Sequence, residues 1–352
     1  MNILGIETSC DETAAAVVKD GREVLSNAVY TQIPLHQPYG GVVPEIASRA
    51  HVEKISEVVR TAMDGFGVDA VAVTYGPGLS PALTVGLNAA KGLAQALDVP
   101  LFAINHIEAH LHTPFLYDAG ETPHNPPPDE AVPALGLAIS GGHTNWFDIA
   151  GPGRYETIGQ TLDDAAGEAF DKAAKLLGLG YPGGPKVDRV AKEYCAAHGF
   201  GNLVPFPKGR PREGVSALAG LSAELCVSFS GLKTALLRYV QQHPEATGDD
   251  LPRVVASYQE AIVQSVADRS RRALKRRAYK AFILGGGVSL NSRLRVVLGD
   301  VAKSAGVPLL MAKPKYCGDN GAMIAGLAYT RRNVQGDAAM GMDVAPSLEA
   351  GA

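Results

Sequence analysis

Apolar positions along this chain fall into two formats that take turns. Short β-rich runs alternate with longer stretches of helical periodicity, and the order of the formats recurs. NILGIETSCDETAAAVV, from Asn2, is an apolar strand, a polar turn and a second strand, and LGLAISGGHTNWFDI, from Leu135 to Ile149, repeats that plan. A strand, a glycine turn and a helix recur in DAVAVTYGPGLSPALTVGLNAAKGLAQAL, from Asp69, and in KAFILGGGVSLNSRLRVVLGDVAKSAG, from Lys280. Two similar α/β lobes are expected. DAGETPHNPPPDEAVP, Asp118 to Pro133, reads as their connection, because its prolines and acids neither pack nor form helix well.

Composition fits that division. At 352 residues, 46% apolar and 19% charged, the chain exceeds what one small core organises. A formal net charge of −4 gives no global basic footprint, so any nucleic-acid contact must come from a local patch or a partner. Cys10, Cys195, Cys226 and Cys317 are widely spaced without a CxxC, which argues against both a disulfide framework and a cysteine-built zinc site and for reduced thiols. No stretch approaches the roughly 18 apolar residues of a membrane span, and no basic, apolar leader precedes Ile3. A cytoplasmic location is expected.

The first candidate chemistry is the pair His106 and His110 in NHIEAHLH. A spacing of four puts both imidazoles on one helical face, where they can converge on one cation, and Asp319 in YCGDNGAM could complete the set. Glu108 is third rather than second in the motif, so the HExxH geometry of metalloproteases is not met. A lone HxxxH is more often a surface or core pair, and the reading needs the other motifs. For Asp319 to reach the histidines, the apolar helix read over 321–332 must cross back from the second lobe. The expected division is therefore 1–130 plus 315–335 for the first lobe, 131–314 for the second, and a partly ordered tail over 336–352.

Two glycine turns come next. In AISGGHT a strand ends in Gly141 and Gly142 and its N–H groups can face an anion; in ILGGGVSLN three glycines end another strand, with Asn291 in the following helix. Such turns also arise for purely steric reasons. In TLDDAAGEAFDKAAKLLGLGYPGGPKVDRVA, Asp171 and Asp188 flank YPGGP, where carboxylates can accept ribose hydroxyls, whereas the remaining acids read as a solvated face.

ETSCDET, GGVVPEIASRAH, YGPGLSPALTVG, NHIEAHLHTPFL, SGGHT, DDAAGEAFDKAAKLLGLGYPGGP, SFSGLKTAL, GGGVSLNSRLR and YCGDNGAMIAG together resemble the TsaD family, the tRNA N6-adenosine threonylcarbamoyltransferases once labelled glycoprotein endopeptidases. The resemblance runs from about Asn2 to Arg332, and GGVVPEIASRAH is of the bacterial type. It implies an α/β fold of two duplicated lobes in the actin-like ATPase, sugar kinase and Hsp70 superfamily. It implies metal ligands at His106, His110 and Asp319, with Fe(II) or Zn(II) as the ion. Substrate contacts fall on Ala138, Ile139, Ser140, Gly141, Gly142, Asp171, Gly184, Asp188 and Asn291.

The implied reaction moves threonylcarbamoyl from threonylcarbamoyl-AMP to N6 of the adenosine just 3′ of the anticodon in tRNAs that read ANN codons. ATP, ADP or AMP are alternative occupants of the site. Implied partners are tRNA, a TsaB-like paralogue and a TsaE-like ATPase, with no membrane. Acyl transfer of this kind calls for a base, and Asp11 and Glu12 at the first turn are the candidates, turn-capping being the alternative. DRSRRALKRRAYK, Asp268 to Lys280, packs seven cations into one stretch read as helical, and KGRPR near Lys208 adds a basic loop; both suit phosphate contact, although such runs are usually solvated faces.

The chain departs from the family pattern in three places. Gly318 and Gly321 replace Thr and Ala and loosen the backbone near Asp319, Cys226-Val227 replaces an acid, and the stretch from Lys208 to Glu224 is longer than usual. Two rival readings are a small-molecule kinase of the same superfamily, which would hold Mg²⁺ on acids rather than paired histidines, and a non-enzymatic nucleotide-binding scaffold.

Overall fold

The computed structural model describes residues 1–151, 153–211, 221–332 and 337–351. The chain divides into two compact units, one of Met1–Val132, Ile149–Glu156 and Leu310–Ala352, the other of Pro133–Asp148 and Thr157–Leu309.

The first unit is built on a six-stranded sheet of β1 (Asn2–Glu7), β2 (Glu12–Lys19), β3 (Glu23–Thr31), β4 (Ala70–Gly76), β5 (Leu101–Asn105) and β6 (Tyr117–Asp118), in the order β5-β4-β1-β2-β3-β6. β1 runs antiparallel to β2, pairing Asn2 with Lys19 and Glu7 with Ala14, and parallel to β4, pairing Ile3 with Ala70. Side chains alternate across such a sheet, and both faces are covered. Ile3, Ala70 and Ala72 pack on the helix Gly321–Arg331, while Leu4, Ile6 and Val71 face the helices Pro44–Met63 and Ser80–Leu97. By the same alternation Glu7 falls on the side of Gly321–Arg331.

That helix lies unusually close to the sheet. A Cβ on Gly5 would stand 2.1 Å from the Gly321 carbonyl oxygen, and one on Gly321 would stand 2.5 Å from backbone atoms of Ala15 and Ala16. Gly321, expected to loosen the backbone near Asp319, instead permits this close seat. Gly318 has open space around its Cβ position.

The second sheet comprises β7 (Ala134–Ile139), β8 (Thr144–Gly151), β9 (Arg154–Gln160), β10 (Ala281–Gly285) and β11 (Leu309–Met311), ordered β11-β10-β7-β8-β9. Counted from its own first strand, this is the order 5-4-1-2-3 of the first sheet, so the repeated strand and helix formats are a duplicated topology. β10 runs parallel to β7, and the helix Leu251–Leu274 is joined to β8 by Trp146 Nε1 donating to Ser270 Oγ at 3.0 Å.

Three expectations meet a different structure. The Asp118–Pro133 connection is tied down: Asp118 accepts from Lys313 (2.9 Å) and Tyr316 (2.6 Å), and Asn125 donates to Pro114 O at 2.7 Å. The chain beyond Asp337 is packed rather than partly ordered, because its backbone groups find partners in the first unit, among them Tyr75 O for the Ala345 N–H at 2.8 Å. The basic run is not one helix, since that helix ends at Leu274, and Arg269 is buried where it donates to the carbonyls of Cys226 (2.9 Å) and Gly209 (3.1 Å). Arg271, Arg272, Lys275, Arg276, Arg277 and Lys280 stay exposed. Residues 212–220 of the long Lys208–Glu224 stretch lie outside the described residues. Among the described residues no helix is long and apolar enough to cross a membrane.

Candidate metal centre and ligand cavity

In the first unit, β5 ends at Asn105, whose side-chain oxygen accepts the N–H groups of Ile107 (2.9 Å) and Glu108 (3.2 Å) and starts the helix His106–His112. The spacing of four then stacks His106 and His110 edge to face, with ring centroids 4.6 Å apart. Asp319, just before the helix Gly321–Arg331, brings Oδ1 to 3.1 Å from His110 Nε2 and 3.7 Å from His106 Nε2. One ligand atom from each of the three lies within 4.8 Å of the others.

Behind His106 stands Glu7, an acid the sequence reading passed over. Its Oε2 lies 3.0 Å from His106 Nδ1 and accepts from Thr74 Oγ1 at 2.5 Å, while Oε1 accepts the Ser9 N–H. The only signal for it in sequence is an acid closing an otherwise apolar strand. With Nδ1–H donated to Glu7, Nε2 is the nitrogen left for an electrophile. Burial alone would lower the His106 pKa, but Glu7 and Asp319 outweigh it and push the imidazole up to about 9. Burial likewise raises Glu7, and His106 more than compensates, holding it below the usual carboxylate range.

These residues fit a divalent cation. Both ring nitrogens of His110 are buried and make no hydrogen bond among the described residues, although Nε2 faces Asp319. Two imidazoles and one carboxylate are also the donor set that Zn(II) and Fe(II) favour, with positions left open for substrate. Asp11 and Glu12 follow at the β1–β2 turn and are partly exposed. Glu12 accepts from Thr31 Oγ1 at 3.3 Å, and burial together with Asp319 and Asp11 holds it well above the usual carboxylate range.

The second unit holds a cavity of about 490 Å³, within the range of small-molecule sites, where the turns after β7 and β10 meet the helices Ala166–Leu176 and Gly183–His198. Gly141, Asp171, Gly184, Asp188 and Asn291 line it together. Gly286 makes the turn possible at φ +94°, with a Cβ position only 2.4 Å from the Ile139 carbonyl oxygen. Cβ positions on Gly141 and Gly184 meet nothing, so the backbone there is open to a ligand.

The polar groups around the cavity are themselves held in place. Asp171 Oδ1 accepts the Gly183 N–H at 2.7 Å, and Asp188 takes the N–H and hydroxyl of Ser292 at 3.1 and 2.9 Å. Asn291 caps its helix through Leu294 N–H at 2.9 Å and donates to Gln259 at 2.7 Å. Ala138 and Ile139 are buried inside β7, Ser140 Oγ accepts the His143 N–H at 3.2 Å, and Gly142 is exposed; these four are not among the lining residues. Arg189, Lys192 and Phe170 do line it and were not anticipated, since each reads as an ordinary helix residue.

A family model described as TsaD, tRNA N6-adenosine threonylcarbamoyltransferase, matches residues 23–326. The chain is 47% identical over 345 residues to a protein of that description from Anaeromyxobacter sp. (strain Fw109-5), covering 96% of each. It is 44% identical over 354 residues to another from Geobacter sp. (strain M21), covering 99% of this chain and 94% of the relative. Among solved structures, HypF of T. kodakarensis aligns with a TM-score of 0.56 at 14% identity over 94% of this chain and 48% of that one. Component A of (R)-2-hydroxyglutaryl-CoA dehydratase from Acidaminococcus fermentans aligns with a TM-score of 0.51 at 15% identity over 95% of this chain and all of that one. The structural likenesses show a fold shared with these two proteins, and the sequence matches do not favour a small-molecule kinase. The chain belongs to the TsaD family of tRNA N6-adenosine threonylcarbamoyltransferases.

Proposed function

We propose that this chain transfers threonylcarbamoyl from threonylcarbamoyl-AMP to N6 of the adenosine 3′ of the anticodon in tRNAs reading ANN codons. The observation that carries the metal-assisted form of this reading is the convergence of His106, His110 and Asp319 on one point, with the His110 nitrogens buried and unbonded. Those three residues would hold Zn(II) or Fe(II), which supplies Lewis acidity toward an acyl or phosphoryl oxygen.

The remaining steps belong to the chain's own groups. The adenine amine is a weak nucleophile, so its attack on the carbamoyl carbon depends on orientation and on removal of its proton as the new C–N bond forms and AMP leaves. Glu12, whose carboxyl burial and the neighbouring Asp319 and Asp11 hold above the usual carboxylate range, is the group that takes that proton, or Asp11 beside it. In the second unit, Asp171 and Asp188 are fixed acceptors for ribose hydroxyls, the open glycine backbone at Gly141 and Gly184 admits the nucleotide closely, and Arg189 and Lys192 add positive charge at the cavity. AMP, ADP or ATP would compete there. The exposed cations from Arg271 to Lys280 supply phosphate contacts for tRNA, and a TsaB-like paralogue and a TsaE-like ATPase act alongside the chain in the cytoplasm.

The test is mass spectrometry of nucleosides from tRNA incubated with threonylcarbamoyl-AMP, the chain and its partner proteins, with and without a chelator. Modified adenosine that forms only without the chelator is expected. Full modification in a metal-free reaction would overturn the metal's part, and none under any condition would overturn the transfer.

A further inference from the structure

The two elements that carry the candidate metal ligands are also joined on the side away from them. Glu108 lies two residues from each histidine, about 200° around the helix from His106, so it leaves by the opposite face. There its carboxylate is fully buried; Oε2 accepts from Arg331 Nη2 and Oε1 accepts the Gly351 N–H at 2.8 Å. Arg331 ends the helix that starts two residues after Asp319. The histidine helix is therefore coupled to the other helix at two points, near its start through Asp319 and at its end through Arg331.

The C-terminal segment is seated over this rear face. Ala345 N–H donates to Tyr75 O at 2.8 Å, Gly78 N–H to Pro346 O at 3.2 Å, and Asn105 Nδ2 to Glu349 O at 3.0 Å. Asn105 is the residue whose other side-chain atom starts the histidine helix, so one amide links that helix start to the C-terminal segment. A Cβ on Gly351 would stand 2.2 Å from the Tyr155 carbonyl oxygen, so its N–H reaches Glu108 through a gap that admits little else. A buried ion pair is a poor source of net stability compared with apolar packing, but it fixes direction and register.

We propose that Glu108, Arg331 and the segment from Met342 to Gly351 form a positioning clamp that sets the spacing between His106, His110 and Asp319. It rests on the reading that those three hold a divalent cation, whose ligand distances tolerate errors of only about 0.2 Å. None of the clamp residues is a ligand. They act through the helices that bear the ligands.

The experiment is titration of Co(II) into the metal-free full-length protein, read by visible absorption, beside the variants His110→Ala, the pair Glu108→Gln with Arg331→Gln, Arg331→Lys, and a chain ending at Gly341. Near-ultraviolet circular dichroism establishes which variants are folded. The clamp predicts that the paired variant and the shortened chain, though folded, bind Co(II) about tenfold or more weakly with an altered spectrum, and that Arg331→Lys falls nearer the unaltered protein. If the paired variant does not fold, the shortened chain decides the question by the same readout. An unaltered protein that takes up no Co(II) would overturn the metal reading itself. Uptake that His110→Ala abolishes, but that the folded paired variant or the folded shortened chain keeps within twofold, would overturn the clamp alone.

Discussion

His106 presents Nδ1 to Glu7 Oε2 at 3.0 Å, and that contact decides which edge of the imidazole is left for a cation. Glu7 is held in turn by Thr74 on β4 and by the Ser9 N–H, so the ring cannot turn without breaking a buried network. Glu7→Gln keeps the shape and removes the charge that favours Nδ1–H. Zn(II) affinity, measured by competition with a chromophoric chelator, is expected to fall about 10- to 100-fold with the fold retained. An unchanged affinity would mean that Glu7 does not orient the ligand.

How far this centre could be read from sequence depends on the range of each interaction. His106 and His110 are a local signal, because helix geometry alone sets their relative position. Asp319 could be assigned only by asking what would complete their shell and by the resemblance, and Glu7 escaped notice because a single acid at a strand end carries no periodicity. The duplicated lobes were legible in repeated strand and helix formats. Arg269 was not, since its burial depends on the carbonyls of Cys226 and Gly209, contributed by distant segments. The packed C-terminal segment was missed for a similar reason: its backbone groups are bonded to distant residues, and the Met342, Val344, Ala345 and Leu348 side chains that pack on the core follow neither a helical nor a strand period.

Acid should weaken the fold through two buried histidines outside the ligand set. Burial holds His51 and His112 below the ordinary value, His112 down to about 4, although the Cys10 and Gly21 carbonyls they donate to pull the other way. The unfolded chain takes up protons at both sites near pH 6.5 and the folded chain does not, so stability present above that value is lost as pH falls toward 4. For His112 alone the full loss is about 3 kcal/mol. Urea midpoints measured from pH 7.5 to 5 should fall with pH, and less steeply for His112→Gln. A flat profile would contradict the assignment.

The cavity in the second unit should be blockable without harm to the fold. Gly141 lines it, and a Cβ there meets nothing within 4 Å. Gly141→Val should therefore melt within a few degrees of the unaltered protein while losing at least about tenfold in AMP affinity by calorimetry, roughly 1.4 kcal/mol. Equal affinity would place the nucleotide elsewhere.

The exposed cations make a separate prediction about RNA. Arg271 pairs with Asp268 at 2.7 Å and Arg272 lies 3.8 Å from Glu224, so both face solvent with acid neighbours that tRNA phosphates can replace. Reversing both to Glu should lower tRNA affinity and reduce the slope of log affinity against log salt by roughly 1 to 2. Filter binding across a salt series would show this, and an unaltered slope would remove the patch from the tRNA path. Arg269 is unsuitable for the test because its substitution strands two buried carbonyls.

The most direct measurement is the metal content of the purified chain by inductively coupled plasma mass spectrometry, for the unaltered protein and for His110→Ala and Asp319→Ala. One Zn or Fe per chain in the first and almost none in the folded variants is the predicted result. Metal retained at the same ratio in either variant would contradict a cation held by His106, His110 and Asp319.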